Sequence, residues 1–336
     1  MNTRLMAYSF IASVKVIFCI EESLLMPFDI DSPLVVGVAS SAVFDLNESD
    51  AVFHREGEEQ YRKYQETHLE EPLEKGIAFS FIRRLLSLND LCDDPVNKPL
   101  VEVILLSKND PDTGLRVMKS IAHHGLPMTR AIFMQGRSPY DYIPALNISL
   151  FLSGDAEDVR AAILAEYPAG HVMHSAIIDD PSDTGIRIAF DFDGVLANDE
   201  AEQVMQKTND VARFHAHEVK NKMRPLGDGP LKTFLVRIAA IQKQEEAQRR
   251  ADPSYRIRLR VSLVTARNAP SHERALNTLK GWGVMTNDAF FLGGIEKGRV
   301  LEVLKPHIFF DDQSKHLTTA ARVVPSVHIP FGVTNE

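Results

Sequence analysis

The sequence predicts an α/β protein built on a parallel sheet, and three observations predict it. Short apolar runs that read as buried strands alternate with amphipathic helical stretches, the pattern of strands joined by crossover helices. Several of these runs end in acidic or hydroxyl residues, and the C-terminal ends of strands are where an open parallel sheet binds ligands. The strand–loop–helix rhythm occurs twice along the 336 residues, enough chain for one large or two ordinary domains.

Three units follow in chain order: an N-terminal extension over 1–33, a first α/β lobe over 34–180, and a second over 181–336 with an insertion at about 197–255. In the extension, Leu5 to Ile20 is apolar behind Arg4, as in a targeting segment. Against that, Lys15 interrupts the run and no small-residue cleavage site precedes Glu21-Glu22. The run is too short and too charged to cross a bilayer, so a docked or frayed extension is expected. In the first lobe, Val36 to Phe44 holds a strand and its turn, Phe81, Ile82, Leu85 and Leu86 share one helical face, and His123-His124 closes a helix before Gly125.

The second lobe opens with Ile186–Phe190, read as a buried strand, followed by Asp191-Phe192-Asp193-Gly194-Val195. Carboxylates two apart at a strand end point the same way along the pleat. They repel unless a cation or a shared proton offsets them. Mg²⁺, a hard ion that prefers oxygen ligands, is the natural partner. Gly194 lets the chain turn tightly over the site. Asp191 is then free to act as a nucleophile and Asp193 as a general acid and base. The plain alternative is a strand end followed by a polar turn.

The insertion between Leu196 and Arg256 is long for a simple strand-to-helix connection. After Gly229-Pro230, the residues Leu231, Phe234, Leu235, Ile238 and Ile241 form a helical apolar stripe. Its charged tail, Gln244 to Arg250, is expected to be solvated, and Asp252-Pro253 ends it. The part from Asn198 to Asp228 has the length to fold over the site as a small cap that excludes water. His215-Ala216-His217-Glu218 lacks the further ligands of a zinc site and reads as surface or substrate-contact histidines. Trp282 reads as packing at the last turn of a helix rather than as a platform for a base.

Three later segments bear on the Asp-x-Asp stretch. Val261–Thr265, before Ala266-Arg267, is a strand ending in a hydroxyl; Gly293–Gly298 is a turn-rich stretch carrying Lys297; His307–Phe310 is a strand ending in Asp311-Asp312. Singly, Thr265 reads equally as a cap, Lys297 as a surface charge, and the two acids as a loop after an edge strand. Together, in this order, they resemble the haloacid dehalogenase-like phosphohydrolase superfamily. The resemblance implies a Rossmannoid parallel sheet with a small cap. It implies that Asp191 attacks phosphorus to form an aspartyl-phosphate, while Asp193 protonates the leaving oxygen and then activates water. It places the phosphoryl group against Gly194, Thr265, Ala266 and Lys297, and Mg²⁺ among Asp191, Asp193, Asp311 and Asp312, with Asp311 favoured as the direct ligand of the last pair. The chemistry is coherent: phosphoryl transfer needs positioning and charge neutralisation, and a carboxylate nucleophile splits one hard hydrolysis into two easier steps.

A narrower resemblance covers nearly the whole chain from about Leu34. Glu56–Tyr61, Tyr64-Gln65, Glu71-Pro72-Leu73, Leu152–Glu157, Leu263–Arg267, Pro306–Gln313 and the closing Ile329–Val333 are similar to the cytosolic 5'-nucleotidase type I family. This implies Mg²⁺-dependent hydrolysis of nucleoside 5'-monophosphates, AMP or pyrimidine deoxynucleotides, in the cytoplasm. Phe192 departs from the small residue expected between the two carboxylates in animal members, which bears on base preference rather than on the chemistry.

Internal comparison pairs Ala39 with Asp191, Ser41 with Asp193, Pro72 with Pro225, Ser107 with Thr265, and Phe151-Leu152 with Asp311-Asp312, at offsets drifting from 152 to 160 residues. The first lobe thus reads as a related copy stripped of its metal carboxylates. Lys108, Asn109, Arg137 and Ser138, at its strand ends, are candidate nucleotide or effector contacts. On that reading the lobe helps form the substrate pocket, binds a regulatory nucleotide or makes a subunit interface; the alternative is a structural buttress.

Composition narrows the classes. A net charge of −9 disfavours a nucleic-acid-coating surface, and no membrane association is expected. Two cysteines, Cys19 and Cys92, imply no disulfide framework and fit a reducing cytosol. A homo-oligomer is compatible with the sequence. The leading expectation is a nucleoside-monophosphate phosphohydrolase. Its competitors are a phosphatase for another small phosphomonoester, such as a sugar phosphate, and a non-catalytic nucleotide-binding protein.

Overall fold

The computed structural model describes residues 28–175, 177, 179–333 and 335, so Leu5 to Ile20 and most of the expected extension lie outside the described residues. The strands are β1 (Leu34–Val38), β2 (Val101–Ser107), β3 (Arg130–Phe133), β4 (Ile148–Ser153), β5 (Ala169–Val172), β6 (Ile186–Phe190), β7 (Leu259–Thr265), β8 (Asp288–Phe291), β9 (Ile308–Asp311) and β10 (Ser326–His328). They form one sheet in the order β3-β2-β1-β4-β5-β10-β9-β6-β7-β8. β1, β2, β4 and β9 are buried along their whole length, the signature of parallel strands covered on both faces.

The order 3-2-1-4-5 in the first half recurs as 8-7-6-9-10 in the second. Neighbours within each half are parallel, and the halves meet where β5 and β10 pair antiparallel. The strands of one half therefore run opposite to those of the other. The two sets of C-terminal strand ends point in opposite directions, yet the ladder sets Ser153, His171, His328 and Asp311 side by side in one row across the sheet.

In the first half the helices are α1 (Ser40–Val43), α2 (Asn47–Glu56), α3 (Glu58–Thr67), α4 (Phe79–Leu86), α5 (Pro111–His123) and α6 (Ala156–Leu164). In the second they are α7 (Glu200–Thr208), α8 (Val211–Lys220), α9 (Lys232–Ala251), α10 (His272–Gly281), α11 (Lys297–Leu304) and α12 (Ser314–Ala320). The stripes expected on α4 and α9 are buried, and the principal apolar core runs through both halves. At the junction the Phe190 and Phe310 rings stack at 5.1 Å, with Phe234 of α9 and Phe81 of α4 packed edge-on against Phe310.

Two expectations are corrected here. The α9 tail is not uniformly solvated: Glu245 is fully buried and accepts from the Tyr255 hydroxyl at 2.6 Å and from the Arg258 and Leu259 N–H groups at 2.9 Å. A buried carboxylate is tolerable when its oxygens are filled by donors, here those that start β7. The pairing of Asp311-Asp312 with Phe151-Leu152 is also displaced. Ala39 N–H donates to Leu152 O, and Asp191 N–H donates to Phe310 O, both at 2.8 Å, so Phe310 matches Leu152 and Asp311 matches Ser153. The apolar runs slide freely against each other in sequence; the ladder fixes the register.

Candidate active site

Three strand ends and one helix start of the second half converge. Asp191 is the first residue after β6, Thr265 ends β7, Asp311 ends β9, and Lys297 begins α11. Strand polarity alone brings these residues, distant in sequence, to one edge. All four are buried, and so is Asp312.

The Lys297 ammonium lies between two carboxylates, 2.9 Å from Asp191 Oδ2 and 2.7 Å from Asp311 Oδ2. Burial opposes its charge, but Asp191 and Asp311 outweigh that and hold its pKa above the ordinary lysine value. Asp191 is pushed the other way: burial raises its pKa, Asp311 and Asp193 add to the rise, and Lys297 only partly offsets it. Asp311 stays below the usual carboxylate value although burial works against it, because Lys297 and His316 favour its charged form. Its Oδ1 accepts the Gln313 N–H at 2.8 Å.

Asp191 Oδ1 is buried and has no hydrogen-bond partner among the described residues. Among the described residues, one acidic and imidazole group can hold a metal ion: Asp191, Asp311 and His316, whose ligand atoms lie within 4.8 Å of one another. An orphaned carboxylate oxygen beside a second carboxylate fits a hard cation, which would also offset the forces raising the Asp191 pKa. Gly194 has φ +71°, and a Cβ there would come 2.7 Å from the Asp312 carboxyl carbon, so glycine is required at this approach. Thr265 Oγ1 accepts the Arg267 N–H at 3.3 Å; Ala266 beside it is exposed.

Asp193 is turned to a partner the sequence did not signal. Arg267 forks it, Nε to Oδ2 at 2.7 Å and Nη2 to Oδ1 at 2.6 Å, and both its oxygens are occupied by that contact. Asp193 and Asp312 thus stand outside the three-residue metal group. Glu218, within the His215–Glu218 stretch, is fully buried against Arg267 and Arg274, while His217 Nδ1 lies 3.2 Å from its Oε1. His316 has a legible placement in hindsight: it sits in the first turn of the helix that follows the acidic strand end. Arg267 and Glu218 carry no such signal, because their partners are fixed only by the fold. Phe192 is buried at 0% exposure, with its ring 6.5 Å from Trp282, so it packs the core rather than facing a base.

A family model described as 5'-nucleotidase matches residues 26–336. The chain belongs to the 5'-nucleotidase family. Among curated proteins it is similar to human (Homo sapiens) cytosolic 5'-nucleotidase 1B, with 32% identity over 293 residues, covering 86% of this chain and 47% of the relative. The chain spans about half the length of that relative. No solved structure is significantly similar to it. No helix among the described residues is long and apolar enough to cross a membrane.

The four first-half candidates lie beyond the C-terminal ends of β2 and β3, on the other side of the β5–β10 junction from Asp191. Lys108 pairs with Asp155 at 2.7 Å and Asp158 at 2.9 Å, and Ser138 Oγ donates to Asp158 at 2.9 Å. Asn109 N–H donates to Ser107 Oγ at 3.1 Å, and Arg137 is exposed. Lys108 and Asn109 line a cavity of about 410 Å³ with Ser40, Ser41 and Ser153.

Proposed function

We propose that this member of the family hydrolyses nucleoside 5'-monophosphates to nucleoside and phosphate through a phosphorylated Asp191. The observation that carries this reading is the buried Lys297 between Asp191 and Asp311, beside an Asp191 oxygen that no donor among the described residues fills. Asp191 attacks phosphorus, the bond from phosphorus to O5' breaks, and Asp193 gives its proton to the departing oxygen. Asp193 then takes a proton from water, which attacks phosphorus and regenerates Asp191. Lys297 neutralises the phosphoryl oxygens, and the Thr265 hydroxyl with the Gly194 and Ala266 amides orients them. We assign Mg²⁺ to the carboxylates around Asp191 and Asp311; when bound it supplies further charge neutralisation at phosphorus.

On this reading 181–336 is the catalytic half, α7 and α8 within 198–228 cover its site, and 34–180 is a degenerate copy. The copy helps form the substrate pocket, serves as an effector site or a subunit interface, or is a buttress. The relative's name and the cysteine usage favour a cytoplasmic setting.

Phosphate release across nucleoside monophosphates and sugar phosphates, with and without a divalent cation, tests the proposal. Release from nucleotides that stops on chelation is expected. Release confined to sugar phosphates would replace the substrate class, and no release from any ester would leave a nucleotide-binding protein.

A further inference from the structure

Asp193 stands at one end of a buried chain of charges. Arg267, which forks it, also reaches Glu218 through Nη1 and donates from the same nitrogen to Ser271 O at 3.1 Å. The other Glu218 oxygen accepts from Arg274 Nη1 at 2.8 Å, and Arg274 Nη2 continues to Glu200 at 2.9 Å. Glu218 belongs to α8 and Glu200 to α7, the two helices between β6 and α9. Arg267, Glu218 and Arg274 are 4%, 0% and 0% exposed.

The first half of the chain supplies an internal control. Arg116 Nε donates to Glu71 O at 3.0 Å and its Nη1 to Gln65 at 3.2 Å, as Arg274 Nε donates to Arg224 O at 3.0 Å and its Nη1 to Glu218. Ser120 Oγ donates to Arg116 O and accepts the Leu73 N–H; Thr278 Oγ1 donates to Arg274 O and accepts the Leu226 N–H. These contacts equate Gln65 with Glu218. Asn109 and Arg267 each donate a backbone N–H to the hydroxyl that ends the preceding strand, which equates those two. The anchoring arginine and its hydroxyl partner are thus present in both halves. The charged trio Asp193, Arg267 and Glu218 stands where the first half has Ser41, Asn109 and Gln65. A scaffold of this shape is held without the trio, and a buried ion pair is seldom there for stability alone.

We infer that Arg267 and Glu218 are positioning residues for Asp193, and that they tie its orientation to the seating of α7 and α8. The fork fixes the plane of the Asp193 carboxylate and leaves each oxygen a second lone pair for proton transfer. Glu218 is shared between Arg267 and Arg274, so a shift of the α7–α8 cover moves Arg267 and with it Asp193. Proton transfer to the leaving oxygen is then in register only when the cover is seated. The inference rests on the proposed role of Asp193.

The test uses Arg267→Asn, Glu218→Gln and their combination, which reproduces the neutral Asn109–Gln65 pair of the first half, together with Arg267→Lys. Steady-state kinetics on a nucleoside 5'-monophosphate are read as separate kcat and KM values. Amide exchange is followed over residues 200–220, with residues 47–67 as the internal reference, and melting temperature checks folding. The double variant is expected to fold, to lose about 10²-fold or more in kcat, the scale of general acid–base catalysis, and to change KM by less than about 3-fold. Arg267→Lys restores charge without the fork and is expected to recover only part of kcat. Exchange over 200–220 should rise in the double variant and in Asp193→Asn, with 47–67 unchanged. Parental kcat in the folded double variant, or unchanged exchange over 200–220, overturns the inference while leaving the hydrolase reading intact. A parent protein that releases no phosphate from any nucleotide overturns that reading, and the inference with it.

Discussion

Lys297 is where residue chemistry and function meet most closely. It bridges Asp191 and Asp311, so removing its ammonium exposes two buried carboxylates to each other. Lys297→Ala is expected to cost about 2–4 kcal/mol in the chemical step, the scale of a preorganised electrostatic contact, with little effect on discrimination between bases. Normal turnover with altered base preference would contradict its assigned role. Asp191, Asp193, Thr265, Lys297 and the two acids at 311 and 312 were legible in the sequence because each sits at a strand end or in the loop beyond one. Arg267 and Glu218 were not, and His316 is legible only in hindsight. A buried partner across the fold leaves no local spacing to read, and Arg267 looks in sequence like any polar residue after a strand.

At the scale of elements, α9 shows how a charged stretch can mislead. Gln244 to Arg250 reads as a solvated tail, yet Glu245 turns inward and receives three donors at the entry to β7. Glu245→Ala leaves the buried Leu259 N–H and the part-buried Arg258 N–H unfilled and is expected to lower unfolding free energy by about 1–3 kcal/mol in chemical denaturation. An unchanged midpoint would show that water replaces the carboxylate.

The start of β9 carries a titrating contact. His307 Nδ1 accepts the Arg187 N–H at 2.9 Å. Burial, then the charges of Arg187 and Arg84, push its pKa down to about 4. The unfolded chain, with a histidine pKa of about 6.5, binds more protons between those values. Stability from this group is complete above about pH 6.5 and is lost as pH falls toward about 4. Melting temperatures across this window should show a slope that His307→Asn reduces; an identical slope in both proteins would refute the assignment. The apolar stripes of α4 and α9 were readable because periodicity reports burial directly. The alignment of β4 with β9 between the halves was not, since one apolar strand slides against another without penalty in sequence.

At the scale of the whole molecule, the two halves share one sheet and one core but face opposite ways. Sequence comparison predicted repeated strands; it held no information on the antiparallel β5–β10 junction, where His171 pairs with His328. Lys108→Ala combined with Arg137→Ala, in a protein of parental thermal stability, is expected to change substrate affinity, nucleotide activation or oligomeric state. If all three match the parent, the first half is a buttress.

The central claim is that Asp191 is phosphorylated during turnover. Acid-quenching a reaction with a nucleoside 5'-monophosphate labelled in its phosphate, followed by peptide mapping, tests it directly. The account predicts label on the peptide containing Asp191, none in Asp191→Asn, and a loss of at least ~10³-fold in that variant's turnover, the scale of removing a covalent catalyst. Label on another residue, or substantial turnover by Asp191→Asn, would contradict it.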